Sequence, residues 1–118
     1  MFENAETGAS LFAGSTQGYT YTRTNNPTVA AFQARVAQLE QGEAGLATST
    51  GMAAINATFL ALLKAGDHLV ASKSLFGTTI GLLNNILPRF GIEVTLVSQT
   101  DITEWQAAIR PNTRMLFC

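Results

Sequence analysis

The chain has 118 residues, enough for one hydrophobic core, and at 47% hydrophobic against 13% charged residues it is expected to fold rather than stay disordered. Seven basic and eight acidic residues leave a net charge of −1, with no basic run to track a nucleic-acid backbone and no acidic tail. One cysteine, Cys118, and one histidine, His68, exclude an internal disulfide and a Cys/His zinc site. The N-terminus lacks the basic start and apolar core of a signal peptide, and no apolar run is long enough to span a bilayer. The expectation is a soluble, cytoplasmic protein with no metal, nucleic-acid or membrane partner.

Residues 1–27 show no helical or strand period and are rich in Gly, Ser, Thr and Asn, with aromatics at Phe2, Phe12, Tyr19 and Tyr21. This segment reads as an extended arm, either disordered or packed on another subunit. Asn26-Pro27 is a helix start, since Asn caps well and Pro suits the first helical position. Val29, Phe32, Val36 and Leu39 follow at helical spacing, and Gly42 is a plausible stop. Ala44 to Ser49 reads as a short buried strand. A helix from Gly51 to Lys64 carries Met52, Ile55, Phe59, Leu62 and Leu63 on one side. Strand His68 to Ser72 comes next.

A third helix covers about Thr78 to Phe90, with Ile80, Leu83, Leu87 and Phe90 as its stripe and Pro88 shortening its last turn. Ile92 to Val97 is strand. Asp101 caps a fourth helix, with Glu104 in a capping-box relation and Ile102, Trp105 and Ile109 as the apolar face. Arg114 to Cys118 begins another strand, which by pattern buries Cys118. The alternation of strand and helix argues for an α/β fold with a parallel sheet. The final apolar strand runs to the last residue with no turn behind it, so more chain is expected to follow.

Thr48-Ser49-Thr50-Gly51-Met52 lies between a predicted strand and a predicted helix. The first amides of a helix lack internal partners and carry the positive end of its dipole, so they attract anions. Glycine admits close approach, and the hydroxyls add donors. Taken alone, the turn reads first as an ordinary helix cap, which Ser and Thr also favour. It has neither a Walker A nor a G-x-G-x-x-G pattern. Tyr21 and Arg23 add two phosphate donors, two residues apart on one side of an extended segment. His68 reads as a turn or core residue, Lys64 and Lys73 as structural, and Trp105 as packing.

As a set, Y-T-R-x-x-N-P-T from Tyr21, L-A-T-S-T-G-M-A-A-I from Leu46 and S-L-F-G-T-T from Ser74 resemble the Cys/Met-metabolism family of pyridoxal-phosphate (PLP) enzymes. The resemblance covers nearly the whole chain. It implies the N-terminal part of the large domain of the fold type I, aspartate-aminotransferase-like PLP transferases. Residues 1–27 would be the arm serving a neighbouring subunit, and 28–118 the first part of the PLP-binding domain. Tyr21 and Arg23 match arm residues that reach the cofactor phosphate of the neighbour. Gly51 and Met52 match the turn whose amides hold the phosphate of the chain's own PLP, and Thr50 stands where the family commonly has serine. Phe76 matches the aromatic residue that stacks on the pyridine ring.

Many members of the family have tyrosine at that last position. A phenol can stack and move protons, whereas phenylalanine only stacks. The Leu-Phe-Gly-Thr pattern is more like the sulfhydrylase branch. The resemblance therefore implies γ-replacement by sulfide on an O-acylhomoserine (O-succinylhomoserine), with methionine γ-lyase or cystathionine γ-synthase or lyase as the other readings. It further implies a small amino-acid substrate and a homodimer or homotetramer with shared sites. The Schiff-base lysine and the aspartate facing the pyridine nitrogen match nothing in this sequence and are expected downstream. No catalytic residue is assigned in the chain, and a reading of another class is a truncated, non-catalytic piece.

Overall fold

The computed structural model describes residues 4–22 and 25–118. They form two units, Met1–Ala47 and Thr48–Cys118.

The first unit holds two helices. Helix α1, Ala5–Phe12, lies in the stretch read as aperiodic. It starts because the Asn4 side chain accepts from the Thr7 amide at 2.7 Å, a local cap that needs no apolar period. Helix α2, Pro27–Leu39, begins where the Asn-Pro pair predicts, with the Asn26 side chain accepting from the amides of Thr28 and Val29 at 2.9 and 3.2 Å. It ends at Leu39, three residues before the expected glycine. Gln41 takes the left-handed conformation (φ 54°), and the Gly42 amide donates to Ala37 O at 2.8 Å.

The predicted apolar stripe of α2 is a correction: Val29, Phe32, Val36 and Leu39 are exposed. The half-buried side is Ala30, Gln33 and Ala37. Small residues there let the following loop approach, and a Cβ at Gly45 would sit 2.8 Å from Gln33 O. Close backbone approach therefore selects glycine at this position.

The expected strand Ala44–Ser49 is irregular backbone instead. Leu46, its only large apolar residue, is 78% exposed. Alanine and glycine are poor strand formers, and the segment has no ladder partner among the described residues.

The second unit is an α/β layer structure. Helix α3, Gly51–Leu62, leads to strand β1, His68–Ser72. Helix α4, Gly77–Asn85, and a 3-10 turn, Leu87–Phe90, lead to β2, Glu93–Val97. Helix α5, Ile102–Ala108, leads to β3, Thr113–Phe117. The sheet is parallel in the order β2-β1-β3, with His68 opposite both Glu93 and Thr113. Pro88 ends α4 as its missing donor requires, and the chain leaves the 3-10 turn through Gly91 at φ 72°.

The central strand β1 is buried along its whole length. Phe59, Leu63, Leu69, Ala71, Leu83, Leu87 and Ile92 form the core beside it. The Phe59 and Phe117 rings meet edge to face, with centroids 5.0 Å apart. The core excludes several residues assigned to it by period. Leu62, Phe90, Ile102 and Ile109 are exposed, and so is Cys118. Each lies at or beside an element end: Ile102 opens α5, and the others close or follow their elements.

Glu104 also departs from expectation. Its carboxylate accepts from the Ser98 amide at 2.6 Å rather than from its own N-cap, while Asp101 caps Thr103 and Glu104. Trp105 does more than pack, since its indole N–H donates to Ser98 O at 2.8 Å. Residues 104 and 105 thus pin the backbone just after β2.

Candidate functional site

In a parallel α/β sheet, ligands bind beyond the carboxyl ends of the strands, where helices begin. At that end of β1 the sequence Lys73-Ser74-Leu75-Phe76 crosses to α4. The Ser72 hydroxyl accepts from the Ser74 amide at 3.0 Å, and the Lys73 amide donates to Val97 O at 2.8 Å, so the crossing starts from a fixed point. Phe76 then occupies the N-cap of α4 with no side-chain cap bond. Its ring is 77% exposed. Phe76 is therefore not a core aromatic.

Thr50 is the N-cap of α3, in extended conformation, and its hydroxyl accepts from the Ala53 amide at 3.0 Å. Thr48 adds a second local bond, its hydroxyl donating to Thr50 O at 2.8 Å. The cap uses the third amide of the helix and leaves those of Gly51 and Met52, at the first two positions, without an intrahelical acceptor. A Cβ at Gly51 would meet no atom within 4 Å, and its φ is not in the left-handed range. Neither packing nor backbone conformation of this chain demands glycine there. The open space over two donating amides suits the close approach of a phosphate.

The Met52 side chain links this turn to the Phe76 segment. Its sulfur accepts from the Thr78 hydroxyl at 3.3 Å and lies 3.7 Å from that of Thr79. Both threonines lie within S-L-F-G-T-T, where residue type alone assigns them no partner. The contact with Met52 spans 26 and 27 residues of sequence.

Thr50, Gly51, Met52 and Phe76 are thus in one unit, at the starts of two helices. Tyr21 belongs to the first unit, in the loop ahead of α2, where its carbonyl accepts from the Asn25 amide at 2.9 Å. Arg23 lies outside the described residues. Lys73 is exposed and 3.6 Å from the Glu104 carboxylate.

A family model described as Cys/Met metabolism PLP-dependent enzyme matches residues 1–118. The chain belongs to that family. It is 46% identical over 117 residues to L-methionine gamma-lyase of Fusobacterium nucleatum and 43% identical over 117 residues to O-succinylhomoserine sulfhydrylase of Pseudomonas aeruginosa. Each alignment covers 99% of this chain, but 30% of the first relative and 29% of the second. A crystal structure of a putative O-acetylhomoserine (thiol)-lyase from Campylobacter jejuni, which holds N'-pyridoxyl-lysine-5'-monophosphate, superposes with a TM-score of 0.81 at 31% identity. That match covers 100% of this chain and 29% of the other. The chain therefore spans about 30% of the length of the curated relatives it matches, and its α/β fold is that of the fold type I PLP enzymes.

The donor set fits this PLP-dependent family. Two helix-start amides and neighbouring hydroxyls suit the phosphate, and an exposed aromatic ring suits the pyridine. Removing the cap tests how far the turn depends on it. Thr50→Ala is expected to lower the stability of α3 by about 1 kcal/mol. Faster amide exchange in the first turn of α3 than in α4 would reveal it, and unchanged exchange would remove the cap as the organiser of the turn.

Proposed function

We propose that this chain supplies the phosphate-binding turn and the ring-stacking residue of a PLP enzyme that works at the γ-carbon of a homoserine-type amino acid. The observation that carries the reading is the pairing of the open Gly51-Met52 amides with the exposed Phe76 ring in one unit. The Gly51 and Met52 amides hold the phosphate, and Thr50 orients them by fixing the first turn of α3. Phe76 stacks on the pyridine ring and sets its plane. When bound, PLP supplies the electron sink that lets a group leave from Cγ. Phe76 has no hydroxyl, so it moves no proton to or from that leaving group.

That lack of a phenol favours γ-replacement of an O-acylhomoserine side chain by sulfide, as in an O-succinylhomoserine sulfhydrylase. A second reading, methionine γ-lyase, is favoured by the 46% identity to the lyase of Fusobacterium nucleatum. Tyr21 and Arg23 would reach the phosphate of a neighbouring subunit, which makes the working form a homodimer or homotetramer in the cytoplasm. Undiminished PLP affinity in a dilute monomer would contradict the shared site.

Phe76→Tyr in the full-length protein separates the two chemistries. The substitution is expected to raise elimination relative to replacement by about tenfold, the scale of one added proton-transfer group held at less than full efficiency. Rates of α-keto acid and of homocysteine thiol formation from the same O-acylhomoserine in the presence of sulfide give the ratio. Identical partition in both proteins would withdraw Phe76 as the basis of the choice.

A further inference from the structure

We propose that the Met52 thioether is a positioning contact that sets the distance between the phosphate turn and the stacking ring. The inference rests on the PLP reading above. Met52 stands at the second position of α3, where its amide has no intrahelical acceptor. Its side chain turns to the start of α4 and accepts from Thr78 and Thr79. Phe76 is two residues before Thr78, and the amides of Thr79 and Ile80 donate to Phe76 O at 2.9 and 3.1 Å. One residue therefore offers its backbone to one end of the ligand and, through two hydroxyls, holds the backbone that presents the ring to the other end.

The chemistry favours sulfur at this place. A thioether accepts weakly, but it is long, unbranched and polarizable, and it reaches where a carbonyl would not fit. Thr79 is 3% exposed, so its hydroxyl needs an acceptor. Leucine in place of Met52 would fill similar volume and leave that buried hydroxyl without the sulfur. Removing both partners together leaves nothing unsatisfied, so the two changes are expected to be non-additive.

The test uses the full-length protein and the variants Met52→Leu, Thr79→Val and their combination. PLP affinity, the induced circular dichroism of the bound chromophore, and competition by inorganic phosphate are measured on each. Each single variant is expected to bind PLP about fivefold more weakly, with reduced dichroism, and the combination no more weakly than the worse single. Inorganic phosphate should compete as in the wild type, because the amides are untouched. Wild-type affinity and dichroism in Met52→Leu, or effects that simply add, would overturn the proposal. If Met52→Leu cannot be purified folded, Thr79→Val and Thr79→Ser carry the test, with valine reproducing the loss and serine restoring wild-type values. A wild-type protein that takes up no PLP overturns the parent reading, and this one with it. A wild type that binds PLP while the variants match it overturns this one alone.

Discussion

Gly51→Asp is expected to weaken PLP binding by about a hundredfold while leaving the fold intact. A side chain at this position meets nothing within 4 Å, so packing does not resist it. The first turn of a helix also favours an acidic residue, so α3 should gain a few tenths of a kcal/mol. The phosphate suffers in three ways. The carboxylate fills the approach to the Gly51 and Met52 amides, it competes for their hydrogens, and it repels a dianion. Two like charges 4 Å apart near a protein surface repel by about 4 kcal/mol, more than a hundredfold requires. Gly51→Ala is the steric control, with an expected loss of about tenfold, since it blocks approach without charge. Fluorescence titration of the full-length apoprotein checks both. Equal affinity in wild type and Gly51→Asp would move the phosphate site away from this turn.

His68→Ala is expected to cost about 4 kcal/mol, the sum of a core cavity and two hydroxyls left without their partner. His68 is fully buried in β1. Its Nδ1 meets Thr113 Oγ1 of β3 and its Nε2 meets Thr95 Oγ1 of β2, each at 2.8 Å, so one ring joins all three strands. Both hydroxyls also accept from Arg110, through Nη2 at 3.3 Å to Thr95 and through the backbone amide at 2.7 Å to Thr113. Arg110 in turn pairs with Glu93 at 2.7 Å. Hydrogen exchange of the β1 amides in the full-length protein should accelerate by about a thousandfold. Acceleration below about tenfold would mean that the ring is a filler and not a cross-link.

The same ring predicts a pH dependence. Burial lowers the His68 pKa, and the charge of Arg110 lowers it further, against a smaller opposing influence of Glu93. The unfolded chain binds the proton more readily than the folded one. The stabilising contribution is therefore fully present above the ordinary histidine value of about 6.5 and is lost as pH falls through the lowered folded value. His68→Gln, which cannot titrate, should flatten β1 exchange across that window.

The features legible in the sequence are those whose cause is local. The Asn26-Pro27 start and the Thr50 cap of α3 depend on atoms three residues apart, and both are where expected. Strand β1 was legible to the residue because a core strand buried on both faces is a short unbroken run. Segment 44–49 failed because a strand is defined by its neighbour, and composition cannot supply one. Helix α1 was missed for the opposite reason: Asn4 signals a start, yet Gly8 in mid-helix and few apolar residues hide the period. The turn at Thr50 reads from residue types first as a helix cap, and its phosphate role and that of Phe76 are what the family resemblance implies. Their connection through Met52, Thr78 and Thr79 depends on how α3 and α4 meet, which the residues' order does not disclose.

The edge-to-face pair of Phe59 and Phe117 also bears on how the chain is born. Phe117 leaves the ribosome 58 residues after Phe59 (117 − 59), at the end of β3. At about 5–20 residues per second, the ring of Phe59 waits roughly 3–12 s for its partner. During that interval only the core residues that precede Phe117, from Leu63 to Ile92, can cover the Phe59 ring, and its edge-to-face contact is the last to form.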